Sequence, residues 1–285
     1  DEVLAGTGLV EAGTYIAILV GTILAGPIAV DYTGWAAIGI IVTACIGYLV
    51  SRQVPPAPPL GEIEKLAGLV IRANGKVLPW RRDPVDVFAF HIDVPAGAKS
   101  IEAQFQFLSA TQGNQGRIVA TDTMISLQPN SVSLYPAGYY TRQIPIQMTV
   151  TYPAGWTAAG AVPAKAAKGA AGAVYTYDKT NYEILVDSPI LAGRYGRVIP
   201  LSDRVNLNVF ADDPKELAAT PEQIAAHQRL VEQAVKTFGA QHYDHYEFLL
   251  SITDKLGGIG LEHHRSSENG VTPGYFTDWD SGPGR

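Results

Sequence analysis

Two charge-free runs lie back to back near the start of the chain. AGTYIAILVGTILAGPIAV fills residues 12–30 and YTGWAAIGIIVTACIGYLVS fills residues 32–51, with Asp31 the only charge between them. Each run is close to the ~20 residues that an α-helix needs to cross a bilayer core. The intervening DYTG is short, so the pattern predicts a two-helix apolar hairpin over residues 1–53 with both ends on one side of a membrane. Gly13, Ala17, Gly21 and Ala25 recur every fourth residue, and Gly39, Thr43 and Gly47 repeat the device. Small residues at that period let membrane helices pack backbone to backbone. A buried hairpin in a soluble protein is the alternative. A signal peptide fits poorly, because the start is not basic and there are two apolar runs rather than one.

The stretch VPPAPPL, residues 54–60, then reads as a stiff Pro-rich linker. Beyond it the hydrophobic period changes to two. In IEAQFQF (101–107), Ile101, Ala103, Phe105 and Phe107 alternate with Glu102, Gln104 and Gln106. DVFAFHIDV (86–94) places Phe88, Phe90, Ile92 and Val94 on one face, and IPIQMTV (144–150) and VNLNVFA (205–211) behave likewise. Turn signals at ANGK (73–76), PAGAK (95–99) and PAGW (153–156) separate these runs. Many short strands punctuated in this way predict an antiparallel β-sandwich over residues 61–211. The low-complexity AGAVPAKAAKGAAGA (159–173) is expected to be a flexible loop, and His91 a strand residue without a catalytic role.

From residue 212 the chain turns helical. TPEQIAAHQRLVEQAVKTFG (220–239) has Thr220 as N-cap, Pro221 at the first helical position and Gln223 completing a capping box. Gly239 ends the helix. YEFLLSI (246–252) then reads as a buried strand. The net charge of −6 makes nucleic acid an unsuitable partner. The single cysteine, Cys45, excludes an internal disulfide and a cysteine-based zinc site.

The segment GGIGLEHHRSSENG (257–270) concentrates two of the six histidines and two glutamates. A zinc helix needs His-Glu-x-x-His, since residues four apart share a helix face, and no such motif occurs in the sequence. His263 and His264 are adjacent, so on a strand they point to opposite faces. His242 and His245 could pair only on a helix. GGIGLEH has instead the form of a glycine-rich edge strand carrying one carboxylate. A peptide can add to such an edge as a further strand, glycine permits close backbone approach, and a carboxylate suits an ammonium group. A solvated loop is the alternative.

Two resemblances follow. HYDHYEFLLSITDKLGGIGLEHHRSSENGVTPGYFTDWD (242–280) closely resembles the glycyl aminopeptidases, family sixty-one of the metallopeptidases, in the gluzincin clan. The segments from EIEKLAGLVIRANGKVLPWRRD onward, SLYPAGYYTRQIPIQMTVTYPAGW and YEILVDSPILAG resemble the N-terminal β-domain of that family. The resemblance implies that Glu262 receives the substrate's α-amino group. It also implies that Gly257, Gly258 and Gly260 shape the edge, and that Ser266, Ser267, Glu268 and Asn269 line the cleft. It implies zinc for the complete family enzyme, whose two histidine ligands and catalytic glutamate come from a helix following the FTDWD segment. This sequence contains neither that metal motif nor, therefore, any catalytic residue assigned by it. The first sixty residues resemble a helix pair of major facilitator transporters of the lysophospholipid-transporter type, but two helices cannot form a transport pathway.

The fold class expected is thus multi-part. It comprises an N-terminal transmembrane-like helical hairpin (1–53), a linker (54–60), an antiparallel β-sandwich (61–211) and the α/β start of a thermolysin-like (gluzincin) catalytic domain (212–285). The function expected is that of an incomplete zinc aminopeptidase acting on small N-terminal residues of peptides, inactive as given. It would be associated with the bilayer of a bacterial inner membrane through residues 12–51. A membrane-anchored peptide- or protein-binding module, and a chimeric frame joining a transporter fragment to a peptidase fragment, remain open.

Overall fold

The computed structural model describes residues 65–281, together with Val42. The chain divides into two compact units between Leu60 and Gly61. The first strands of the second unit are β1 (Leu66–Ala73), β2 (Lys76–Leu78), β3 (Trp80–Arg82), β4 (Phe90–Ile92) and β5 (Ile101–Phe107). Asn74 and Gly75 both take positive φ, 51° and 74°, which reverses β1 into β2. The sheet runs β2-β1-β5, so β5 forms one outer edge, while β3 pairs with β4. Leu69, Ile71, Ala73 and Leu78 form the buried centre of this layer, with Phe90, Ile92 and Phe105 packed against them.

Next come β6 (Met124–Leu127), β7 (Pro145–Ile146), β8 (Thr149–Tyr152), β9 (Thr157–Gly160), β10 (Ala164–Gly169), β11 (Gly172–Tyr177) and β12 (Thr180–Asn181). Helix α1 (Tyr182–Val186) and β13 (Ile190–Gly193) follow. They form three antiparallel sheets, β6-β13-β9, β10-β11-β8 and β12-β7. Tyr152, Trp156, Val162, Tyr177, Ile190 and Ala192 fill the space between them. Tyr152 and Tyr177 share a buried hydroxyl–hydroxyl hydrogen bond of 2.9 Å, so neither polar tip is left unpaired.

The last part contains β14 (Tyr195–Pro200), β15 (Val205–Ala211), α2 (Pro221–Phe238), β16 (Tyr246–Ile252), β17 (Gly260–Glu262) and β18 (Ser266–Val271). They build one mixed sheet in the order β14-β15-β16-β18-β17. Its centre is parallel, β15 with β16 and β16 with β18. Helix α2 begins with the capping box expected from Thr220 and Gln223 and stops at Gly239 in the left-handed region. It lays Ile224 and Val231 on a core of Val205, Leu207, Val209, Ala211, Leu250, Ile252 and Phe276.

Several expectations are corrected. No helix among the described residues is long and apolar enough to cross a membrane. The longest, α2, carries Glu222, Arg229, Glu232 and Lys236 and is a surface helix. The transmembrane-like hairpin expected over 1–53 lies outside the described residues. The membrane-associated localisation and the bilayer partner rested on it alone, and neither is carried further. The expected fold class therefore does not stand as a whole: the described residues are mostly β-sheet. VNLNVFA, expected in an antiparallel sandwich, is β15 and pairs with a parallel neighbour. Its burial shows why, since six of its seven residues are buried, as befits a strand covered on both faces. The segment expected to be a flexible loop, 159–173, holds β10 and the start of β11, joined through Gly169–Gly172. Phe88 and Val94, expected to face a core, are 66 % and 49 % exposed, because the strand there is only three residues long.

Candidate functional site

Strand β17 is the outer edge of the five-stranded sheet, and among the described residues only β18 pairs with it. Gly260 stands opposite Asn269, Leu261 opposite Glu268 and Glu262 opposite Ser267. Residues directly opposite share a face, so the pleat sorts the expected site residues into two groups. Glu262, Ser267 and Asn269 belong to one face, Ser266 and Glu268 to the other. All three residues of β17 are exposed, whereas Ser266, Ser267 and Glu268 are buried.

The three glycines are not equivalent. A methyl group added at Gly257 would lie 2.5 Å from Arg117 Cγ and 3.3 Å from Ile118 N. Gly257 is thus pressed against the preceding β part, where its N–H donates to Ile118 O at 2.9 Å and its carbonyl accepts from Arg117 Nε at 3.3 Å. Around Gly258 and Gly260 nothing lies within 4 Å of such a group. The open space belongs to these two positions and to Glu262.

Glu268 turns away from the edge. Its Oε1 accepts from Ser126 Oγ and Gln128 Nε2, each at 2.7 Å, and Arg117 Nη2 lies 3.8 Å away. Its Oε2 faces His263 Nε2 at 3.5 Å, and the other ring nitrogen, Nδ1, is 3.0 Å from Asp187 Oδ1. The same Asp187 accepts from the His264 backbone N–H at 3.1 Å. The turn after Glu262 is therefore tied both to the end of α1 and, through Glu268, to β6. Arg117, Ser126, Gln128 and Asp187 were not singled out by sequence reading. They stand some 76 to 151 positions from their partners in the 257–268 segment, beyond the reach of any local pattern.

On the same face as Glu262 and Ser267, Tyr246 donates to the Ser266 carbonyl at 2.8 Å. Burial pushes its phenol up from the ordinary value, and the negative charge of Glu262 adds to that shift. Asn269 Nδ2 donates to Ser267 Oγ at 2.9 Å, which fixes the floor of the face. Beside the turn opens a cleft of about 780 Å³ lined by Arg142, Glu183, Asp187, His264 and Arg265 among others.

A zinc ion does not fit these residues. Among the described residues no group of three or more His, Cys, Asp or Glu side chains is arranged to hold a metal ion. The two ring nitrogens of His263 face Asp187 and Glu268, so neither is directed at a further ligand position.

A family model described as the Peptidase M61 N-terminal domain matches residues 60–194. Among solved structures, an aminopeptidase N family protein from Idiomarina loihiensis is similar with a TM-score of 0.58 and 17 % sequence identity; the match covers 75 % of this chain and 35 % of that one. This likeness is one of fold, and the chain spans only about a third of that protein's length. Yeast LTA4 hydrolase (TM-score 0.43, 12 % identity, 73 % of this chain and 34 % of that one) is more distant. So is an M1 zinc metallopeptidase from Deinococcus radiodurans (0.41, 10 %, 72 % and 52 %). No curated protein matches the chain. The family match and the shared fold support a peptidase-like module; the transporter resemblance of the first sixty residues receives no support.

Proposed function

We propose that β17 receives the N-terminal end of a peptide and that Glu262 holds its free α-ammonium group. The observation that carries this is the exposed carboxylate at the end of an edge strand where Gly260, and Gly258 just before it, have nothing within 4 Å of a side-chain position. A peptide that hydrogen-bonds to the free backbone groups of β17 becomes a sixth strand. Gly258 and Gly260 let its backbone come close, and the Glu262 carboxylate accepts from the ammonium. In this reading the chain is the substrate-end part of a metallo-aminopeptidase architecture acting on peptides with small N-terminal residues, in keeping with the match to the M61 N-terminal domain and the aminopeptidase-like fold. Gly257 holds the edge against Arg117, and Ser267 and Asn269 form the floor. Glu268 acts at one remove: anchored by Ser126 and Gln128, it fixes β18, on which β17 rests.

The test is calorimetric titration of the chain with a glycyl peptide and with the same peptide N-acetylated. A hydrogen bond to a charged group contributes about 1.5–3 kcal/mol, so the blocked peptide, and separately the Glu262→Gln variant, should bind at least about tenfold more weakly. Equal affinity for the free and blocked peptides would refute the role of Glu262.

A further inference from the structure

The sheet β2-β1-β5 ends on β5, and among the described residues β1 is the only strand paired with it. For an edge strand β5 is long, seven residues, and poorly covered. Five of those residues are exposed, and only Phe105 and Phe107 are partly buried. Ile101 and the following Leu108 are each 49 % exposed. Edges of this kind are normally shortened, interrupted by proline or guarded by lysine. β5 has none of these, and its one charge, Glu102, already stands opposite Arg72 on β1.

The strand's own sequence identifies a partner. IEAQFQF reads the same in type from either end: apolar, polar, apolar, polar, apolar, polar, apolar. Two copies placed antiparallel about Gln104 set Ile101 opposite Phe107 and Ala103 opposite Phe105, with Gln104 opposite itself. Glu102 falls opposite Gln106, so no like charges meet. Every apolar side chain then lies on the face that already holds Ile71, Ala73 and Phe105, and the two small cores become continuous. Residues directly opposite in an antiparallel pair are close enough for such contacts.

We infer that β5 is a self-association edge, through which two copies of this chain join antiparallel about Gln104 into one six-stranded sheet, β2-β1-β5 with its symmetry mate. The contact uses the same strand on both copies, so it is closed. The opposite edge, β2, is only three residues long and offers little to extend the assembly further. This edge lies on a different sheet from β17 and its pairing is independent of the peptide reading.

Sedimentation of the full chain across a concentration series reads the assembly. The expected result is a monomer–dimer equilibrium; a monomer at all concentrations overturns the proposal. Position 106 tests the register, since it is exposed and its replacement leaves the monomer's packing untouched. Gln106→Glu puts a second carboxylate opposite Glu102 twice per dimer, and Gln106→Lys puts an ammonium there twice. The first should weaken and the second tighten dimerisation, with dissociation constants about tenfold or more apart. Equal constants overturn the pairing. A third reading is covalent, in a Cys45→Ser background. Gln104→Cys should crosslink on oxidation, because residue 104 meets its own copy within disulfide range. Glu102→Cys should not, because four residues of strand separate the two copies of that position by roughly 13 Å. A dimer in which Glu102→Cys crosslinks and Gln104→Cys does not would refute the axis at Gln104.

Discussion

The segment preceding β17 holds glycines that look alike in sequence and differ in surroundings, and Gly257→Ala tests that difference. The added methyl would sit 2.5 Å from Arg117 Cγ and 3.3 Å from both Arg117 Cα and Ile118 N. The side-chain carbon can swing aside. The two backbone atoms cannot do so without moving the Gly257–Ile118 hydrogen bond of 2.9 Å. Displacing Arg117 also pulls it from Gly257 O, from Ser126 Oγ at 3.2 Å and from the vicinity of the buried Glu268. Overpacking of this kind costs about 1–3 kcal/mol, offset by about 0.4–1 kcal/mol from the stiffer unfolded chain. A net loss near 1–2 kcal/mol lowers the midpoint of a unit this size by about 2–8 °C. At Gly258 and Gly260 the methyl meets nothing within 4 Å, so alanine there should leave the melting temperature unchanged or slightly raised. The same two substitutions should weaken glycyl-peptide binding, because the methyl projects where an added strand would approach. Differential scanning fluorimetry of the three variants beside the peptide titration separates the roles. If Gly257→Ala and Gly258→Ala shift the melting temperature equally, the packing argument fails.

Two further outcomes follow from local electrostatics and capping. Asp83 accepts from the N–H groups of Val85 and Asp86 and lies 2.7 Å from His91 Nε2, and these contacts, the His91 bond foremost, lower its carboxyl from 3.8 to about 2. A depressed folded-state pKa stabilises above the unfolded value and is lost as pH falls through the folded one. Asp83→Asn should therefore lower stability at pH 5–7, and its difference from the wild type should shrink between about pH 4 and pH 2 in acid-denaturation curves. Thr220→Ala removes the hydroxyl that accepts from the Gln223 N–H at the start of α2. Loss of such a cap costs about 1 kcal/mol; a chemical-denaturation midpoint that does not move would show that packing of Ile224 and Val231 and the Gln223–Phe276 contact hold α2 without the cap.

Sequence reading succeeded where the cause of a structure is local. The capping box at Thr220, the stop at Gly239 and the strand at 246–252 depend on residues within a few positions of one another, and all stand as read. The glycine-rich segment was likewise legible as a strand carrying one exposed glutamate, because Gly, Leu and Glu at 260–262 declare both the extended backbone and the outward carboxylate. It failed where the cause is distant. Period-two alternation in β5 signals a half-buried strand, yet five of its seven residues are exposed within the chain, because burial depends on what packs against the strand and not on the alternation itself. Alanine and lysine in 164–168 carry no apolar stripe, so nothing local announces that the backbone pairs with β11 residue for residue.

The same distinction divides the candidate site. Glu262 and its glycines declare themselves because their part is to remain uncovered, and exposure is the default state of a polar, glycine-rich segment. Glu268 does the opposite: a carboxylate buried at 4 % exposure requires partners, since an unpaired buried charge is costly. Those partners, Ser126 and Gln128, lie 142 and 140 residues away in the chain. The pair Glu262 and Glu268, six positions apart and similar on paper, thus differ in their surroundings. One faces out beside an open strand, and the other turns inward to fix that strand to the β part. Neutralising them should have separable consequences: at 262 the loss falls on ligand affinity with the fold intact, and at 268 it falls first on the seating of β18, with β17 following.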